Sequence, residues 1–153
     1  MSTETKTTAL KGGEFLIKET DAQSIFIPEQ WNEEQLMIAQ SCTDFLAQEV
    51  WPHLDRIDAQ EEGLTVKLLD KAAELGLLGL SVPEAFGGFE KDFVTGMLAT
   101  EKLGAGYSFA VSISAHTGIG TLPILYYGND AQKKKYIPNL AKDRKSTRLN
   151  SSH

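Results

Sequence analysis

Cysteine, clustered histidine and catalytic motifs are scarce in this chain of 153 residues. Cys42 is the only cysteine, so an intramolecular disulfide is impossible and a thiolate metal site is not expected. His53, His116 and His153 have no carboxylate or cysteine at metal-ligand spacing, and no Ser/His/Asp or Cys/His order stands out. The sequence therefore predicts no metal centre and offers no candidate for hydrolytic catalysis.

Long hydrophobic runs are also missing from the sequence. No run approaches the roughly 20 apolar residues that cross a bilayer, and the start MSTETKTTALKGGEF lacks the basic and then apolar layout of a secretory signal. With 41% hydrophobic and 24% charged residues, the chain has the composition of one globular domain with one core. These absences predict a cytoplasmic protein.

Basic residues are few over most of the chain and concentrate near its end. Residues 1–130 carry 8 Lys and Arg against 20 Asp and Glu, whereas residues 131–153 carry 7 against 1. Binding to a nucleic-acid backbone needs a basic face, which the acidic body does not supply. The consecutive residues Lys133, Lys134 and Lys135 spread around a helix and are typical of a solvated face. We predict no nucleic-acid partner.

Helical signals dominate the chain after residue 30. Asn32 and Gln35 form a capping box that begins a first helix, and Pro52 should end or kink it. Thr65 is the predicted N-cap of a second helix, for which Gly76 supplies a left-handed stop. The spacing of apolar residues in both segments predicts one face turned toward a core.

Three further helices follow. The third runs from about residue 92 to residue 103 and is closed by Gly104. The last begins at a capping box of Asn129 and Gln132 and runs to about residue 141, although Pro138 should kink or shorten it. No period-two strand of convincing length follows residue 30, so the predicted fold class is all-α, a compact bundle of about five helices.

The fourth helix, residues 108–127, is nearly free of charge. Small residues alternate along it with larger apolar ones, so it should be buried on several sides and leave room beside it. His116 lies on this helix, either as a hydrogen-bonded packing histidine or as a residue that lines a pocket.

The two ends of the chain lack the helical pattern. Residues 1–28 are predicted to form a flexible arm, in which residues 15–27 lie extended and face a partner, and residues 29–143 form the helical domain. Residues 144–153 are polar and aperiodic. The ending RKSTRLNSSH is similar to a translated sequencing-adaptor tail joined to a truncated reading frame; the alternative is a genuine short protein with a solvated tail.

The run AAELGLLGLSVPEAFGG, residues 72–88, resembles a recognisable stretch of the N-terminal domain of acyl-CoA dehydrogenases, a helix ending in LG-L-LG followed by VPE-x-Y/F-GG. The order of the flanking segments is also similar: the helix NEEQLMIAQSCTDFLAQEVWPHLDRID, the helix LATEKLGAGYS and the stretch AHTGIGTLPILYYGNDAQKKKYIPNLAKD. The resemblance covers residues 32–143. The sequence AHTGIG and the N-terminal arm favour the long-chain type of acyl-CoA dehydrogenase.

This resemblance implies a parent enzyme with a helical N-terminal domain, a β-rich middle domain and a helical C-terminal domain. FAD would bind mainly between the latter two, and a C-terminal glutamate would remove the α-proton of an acyl-CoA while the β-hydride goes to the flavin. Electrons would then pass to an electron-transferring flavoprotein, in fatty acid β-oxidation. The parent would be a homo-oligomer.

The resemblance assigns no catalytic, cofactor-binding or metal-binding residue to this chain, which should be inactive alone and should not bind FAD tightly. The family's matching helix contributes to the acyl-chain pocket, which predicts Ser114, Ala115 and Ile119 as lining residues. Two other functions stay open: a stand-alone helical interaction module, and a fragment of an acyl-CoA oxidase, which hands electrons to oxygen. The glycines of the signature run either shape the fold or contact cofactor or substrate.

Overall fold

A computed structural model describes residue 10 and residues 12–142. The chain divides into two compact units, Met1–Leu36 and Met37–His153. The predicted tail at residues 144–153 lies outside the described residues, as do residues 1–9 and 11 of the predicted arm.

The described part of the first unit contains three short 3-10 turns, Glu14–Leu16, Ala22–Ser24 and Pro28–Gln30. The Asp21 carboxylate caps the second turn by accepting the Gln23 N–H at 3.0 Å. The prediction that residues 15–27 lie extended is therefore wrong for residues 15–16 and 22–24, which local hydrogen bonds fold into turns, whereas Ile25 and Ile27 have extended backbone angles.

The first helix, α1 (Glu33–Phe45), begins at the predicted capping box. The Gln35 N–H donates to Asn32 Oδ1 at 2.8 Å, and the Asn32 N–H donates to Gln35 Oε1 at 3.0 Å. The helix continues through a π-helical segment (Leu46–Val50) and a 3-10 turn (Trp51–His53) into α2 (Leu54–Asp58). The predicted interruption at Pro52 is confirmed, because proline lacks the N–H that a regular helix needs.

The second predicted helix is α3 (Leu64–Glu74). It starts one residue before the expected cap: Gly63, with φ 76°, is the N-cap, and Thr65 lies inside the helix. The earlier start places Leu64 in the core beside Leu68. The predicted stop at Gly76 is confirmed by its φ of 77°.

Helix α4 (Phe93–Leu103) is capped by Asp92, whose carboxylate accepts the Thr95 N–H at 2.7 Å. Hydrogen bonds from Thr95 hold the pKa of Asp92 below its usual value. Gly104 does not close the helix by a left-handed turn, since its φ is −56° and a 3-10 turn (Gly104–Gly106) follows. The residue with a positive φ after this helix is instead Tyr107, with φ 52°.

The long apolar helix comprises α5 (Ser108–Ser114), a π-helical segment (Ala115–Gly120) and α6 (Leu122–Tyr127). Its extent agrees with the prediction, but its expected burial is wrong. Within the described residues, Ser108–Tyr127 is the one helix long and apolar enough to cross a membrane by length and composition alone, with mean hydropathy 1.2. This corrects the expectation that no such run exists, and only 22% of the window is buried.

The last helix, α7 (Asp130–Ala141), begins at the predicted capping box. The Gln132 N–H donates to Asn129 Oδ1 and the Asn129 N–H donates to Gln132 Oε1, both at 2.9 Å. The helix passes through Pro138 to Ala141, so the proline does not shorten it.

The second unit packs its helices around two clusters of buried side chains. The larger cluster is centred on Phe45 and Phe109, whose ring centroids lie 5.7 Å apart. The smaller one joins Val82 to Ile137 and Ala141 of α7. Counting α1–α2 and α5–α6 as interrupted single helices, the described residues form an all-α bundle of five helices without a β-strand, as predicted.

The signature run folds into a tight connection between α3 and α4. The N–H groups of Phe89, Glu90 and Lys91 donate to the carbonyl oxygens of Gly79, Val82 and Leu80 at 2.8–3.0 Å. A Cβ at Gly88 would lie 2.1 Å from the Val82 carbonyl oxygen, so only glycine fits there without a shift. This geometry supports the fold-shaping interpretation of the glycines.

Candidate functional site

An apolar cavity of about 440 Å³ lies between α4, the long apolar helix and the connection after α3. Gly118 opens this space, because no atom lies within 4 Å of a Cβ built on it. The residues that α4 and the long helix contribute are Phe93, Gly96, Met97, Ala99, Thr100, Leu103, Ile113, Ser114, Thr117, Gly118, Thr121, Leu122 and Tyr126.

The lining of this cavity carries little charge. Lys91 is its one charged residue, and the other polar residues of the lining are Ser, Thr and Tyr126. A dinucleotide such as FAD needs donors for two phosphates, usually backbone N–H groups of a glycine-rich loop after a strand, and the cavity lacks such a unit. These residues alone therefore do not fit FAD, whereas they suit apolar groups.

The opposite side of the long helix presents an uncovered apolar stripe, formed by Val111, Ala115 and Ile119. Val111 is 71% exposed and Ile119 is 80% exposed, and Ala115 between them is also exposed. Their spacing of four residues places them along one side of the helix. Exposed apolar side chains that lie next to one another often mark a contact surface, so the stripe suits an apolar ligand or an apolar element packed against it.

The three residues predicted to line an acyl pocket are divided between the two sides. Ser114 lines the cavity, whereas Ala115 and Ile119 lie on the exposed stripe and not in the cavity lining. The helix brings all three within two turns of one another, but the cavity contains only Ser114 of the three. Their role in substrate binding stays a prediction.

The π-helical segment between the two sides is tied at both ends by side-chain hydrogen bonds. The hydroxyl of Thr121, a residue only 1% exposed, donates to the His116 carbonyl oxygen at 2.7 Å. The half-buried His116 ring places Nε2 2.8 Å from the Leu140 carbonyl oxygen on α7. His116 is therefore a hydrogen-bonded packing histidine, and it does not line the cavity.

The part of the chain that the structure describes contains neither a metal-binding cluster nor an activated cysteine thiol. No group of three or more His, Cys, Asp and Glu side chains there could hold a metal ion. Cys42 is fully buried, and burial raises the pKa of its thiol to about 11, so the reactive thiolate is disfavoured.

These features define an all-helical domain whose distinctive surfaces are apolar. The family model for the N-terminal domain of acyl-CoA dehydrogenases matches residues 32–144. The chain belongs to the acyl-CoA dehydrogenase family and contains that N-terminal domain.

Relatives from bacteria agree with this assignment. The chain is 45% identical over 135 residues to a "Probable acyl-CoA dehydrogenase" of Bacillus subtilis. This match covers 88% of this chain and 23% of the relative. A second Bacillus subtilis protein, "Acyl-CoA dehydrogenase", is 39% identical over 71% of this chain and 29% of its own length. The chain thus spans about a quarter of the length of these relatives.

Solved structures show the same fold. An acyl-CoA dehydrogenase from Bacillus anthracis, crystallised as a complex with FAD, superposes with a TM-score of 0.82 at 45% identity, over 88% of this chain and 23% of that one. A chain in a structure described as the electron transferring flavoprotein of Acidaminococcus fermentans gives a TM-score of 0.63 at 26% identity, over 76% of this chain and 31% of that one.

Proposed function

We propose that this chain serves as the N-terminal domain of an FAD-dependent acyl-CoA dehydrogenase, which introduces an α,β double bond into acyl-CoA thioesters. The family membership and the FAD complex of the similar Bacillus anthracis enzyme support the activity and the cofactor. The chain's own residues lack a fitting FAD site, so the flavin and the base that removes the α-proton belong to the remainder of such an enzyme. Alone, the chain is inactive.

The contribution of this chain is one wall of the acyl-chain pocket. The observation that carries this proposal is the exposed stripe of Val111, Ala115 and Ile119 on a helix that contains no Lys, Arg, Asp or Glu, and whose His116 ring is turned to α7. A fatty tail needs an apolar wall without charges, and each buried methylene contributes about 0.8 kcal/mol to binding. The small side chain of Ala115 leaves depth between its two larger neighbours.

Electron transfer and cellular location complete the proposal. An electron-transferring flavoprotein is the proposed acceptor, which the flavoprotein structure with the similar chain supports. Flavin reoxidation under air and under anaerobic conditions separates this acceptor from oxygen. The cytoplasmic location stays a prediction.

The experiment uses a complete enzyme in which residues 32–142 replace the matching segment of the 45% identical Bacillus subtilis relative. Ala115→Phe should lower kcat/KM for long-chain acyl-CoA by at least about tenfold and change it little for short-chain substrates, because the ring occupies the space of the distal methylenes. The matched control is Ala131→Phe, the same change at an exposed position of α7. An unchanged chain-length profile in Ala115→Phe would overturn the proposed wall.

A further inference from the structure

The π-helical segment Ala115–Gly120 decides which side chains of the long helix share a side. Successive residues of an α-helix are about 100° apart, and a π turn contains one extra residue. If the segment became α-helical, Leu122 and the residues after it would rotate by about 100° relative to those before Ala115. The cavity-lining Leu122 and Tyr126 would then leave their present side.

Two causes of the π register are visible. Pro123 has no N–H, so the Ile119 carbonyl cannot receive the hydrogen bond that an α-helix would give it. The second cause is Thr121. Its N–H donates to the Gly118 carbonyl oxygen, and its hydroxyl donates to the His116 carbonyl oxygen at 2.7 Å. The Thr121 side chain thus spans five residues, the spacing of a π-helical hydrogen bond.

His116 fixes the same segment from outside. Its Nε2, as donor, holds the Leu140 carbonyl oxygen at 2.8 Å. Leu140 lies in the last turn of α7, where carbonyl groups have no partner within the helix. The carbonyl of His116 is held by Thr121 while its ring is held by α7, so one residue couples the register of the segment to a neighbouring helix.

We propose that Thr121 and His116 are positioning residues, which hold Ile119, inside the π segment, in line with Val111 before it on the exposed stripe, and thereby set the acyl-chain length that the enzyme accepts. This inference rests on the proposed function. Neither residue lies on the stripe itself, since Thr121 is buried and the His116 ring is turned toward α7. They act through the backbone that carries Ala115 and Ile119.

The test compares pairs of variants in the complete enzyme with residues 32–142 of this chain. Thr121→Val removes the hydroxyl but keeps the shape, and Thr121→Ser keeps the hydroxyl. His116→Leu removes the donor, whereas His116→Gln can place an amide N–H near the position of Nε2. The readout is the ratio of kcat/KM for a long-chain and a short-chain acyl-CoA, with the melting temperature measured alongside.

Thr121→Val and His116→Leu should each change this ratio about fivefold, the effect of one hydrogen bond, and Thr121→Ser and His116→Gln should restore it. A merely structural role would lower the melting temperature and leave the ratio unchanged, which overturns the inference. If Thr121→Val does not fold, the His116 pair decides. An unchanged ratio in Ala115→Phe overturns the wall and this inference together, whereas a shift there with unchanged ratios in Thr121→Val and His116→Leu overturns this inference alone.

Discussion

The signature run offers the sharpest test of how this sequence makes its fold, through the substitution Gly88→Ala. The Cβ of alanine would lie 2.1 Å from the carbonyl oxygen of Val82, 2.5 Å from its Cβ and 2.6 Å from its carbonyl carbon. Two of these atoms are backbone, so no rotamer change relieves the clash. The connection between α3 and α4 must move instead, and the hydrogen bond from the Glu90 N–H to the same Val82 oxygen, now 2.9 Å, must distort with it.

The expected cost follows from these contacts. Overpacking typically costs about 1–3 kcal/mol, and a clash with backbone belongs at the upper end, about 3 kcal/mol. For a chain of this length, each kcal/mol shifts the melting temperature by roughly 2–4 °C, so Gly88→Ala should melt about 6–12 °C below the unsubstituted chain. Thermal and urea unfolding of the 153-residue chain, followed by circular dichroism, measure both quantities.

Gly104→Ala is the matched control. Its φ of −56° suits alanine, and no atom lies within 4 Å of the added Cβ. This change should be neutral or stabilise by about 0.4–1 kcal/mol through the unfolded state. A Gly88→Ala chain within about 0.5 kcal/mol of the unsubstituted one would refute the fold-shaping role and favour cofactor or substrate contact, which has no effect on stability without ligand.

Two further predictions concern stability. Burial raises the pKa of Cys42 from 9.0 to about 11, so the thiol ionises at lower pH in the unfolded chain than in the folded one. The free energy of unfolding should therefore fall as the pH rises from about 9 to about 11. Urea titrations across this pH range should show a smaller fall for Cys42→Ala. An equal fall of the free energy of unfolding with pH in the unsubstituted chain and in Cys42→Ala would contradict this. Asn129→Ala removes the N-cap of α7 and should cost about 1 kcal/mol in the same assay, whereas Asn139→Ala, on the exposed surface of that helix, should stay within about 0.5 kcal/mol.

Local signals in the sequence predicted the helix boundaries well, because the interactions involved span only a few residues. Asn32 and Asn129 begin helices through capping boxes, and Gly76 ends one with a left-handed turn, all as expected. The second helix shows the limit of such signals. Thr65 is a good cap by residue type, but burial of Leu64 in the core favours an N-cap at Gly63, which no local preference reveals.

The candidate site was harder to predict, because it depends on what surrounds the long helix. Apolar periodicity predicts that Ala115 and Ile119 are shielded from water, but it cannot distinguish residues of the domain's own core from residues of a contact surface. The π register is also invisible to periodicity. Both π segments, Leu46–Val50 and Ala115–Gly120, end within three residues of a proline, and that spacing was the one signal available.

The uncovered side of the helix Ser108–Tyr127 also bears on how such a protein is made. A ribosome adds about 5–20 residues per second, and N-terminal domains generally fold first during synthesis. In the Bacillus subtilis relative whose matching segment is 23% of its length, the rest of the chain is several hundred residues long, and its synthesis takes roughly tens of seconds at that rate. During this interval the apolar stripe of Val111, Ala115 and Ile119 faces water, which exposes the nascent domain to aggregation or chaperone binding.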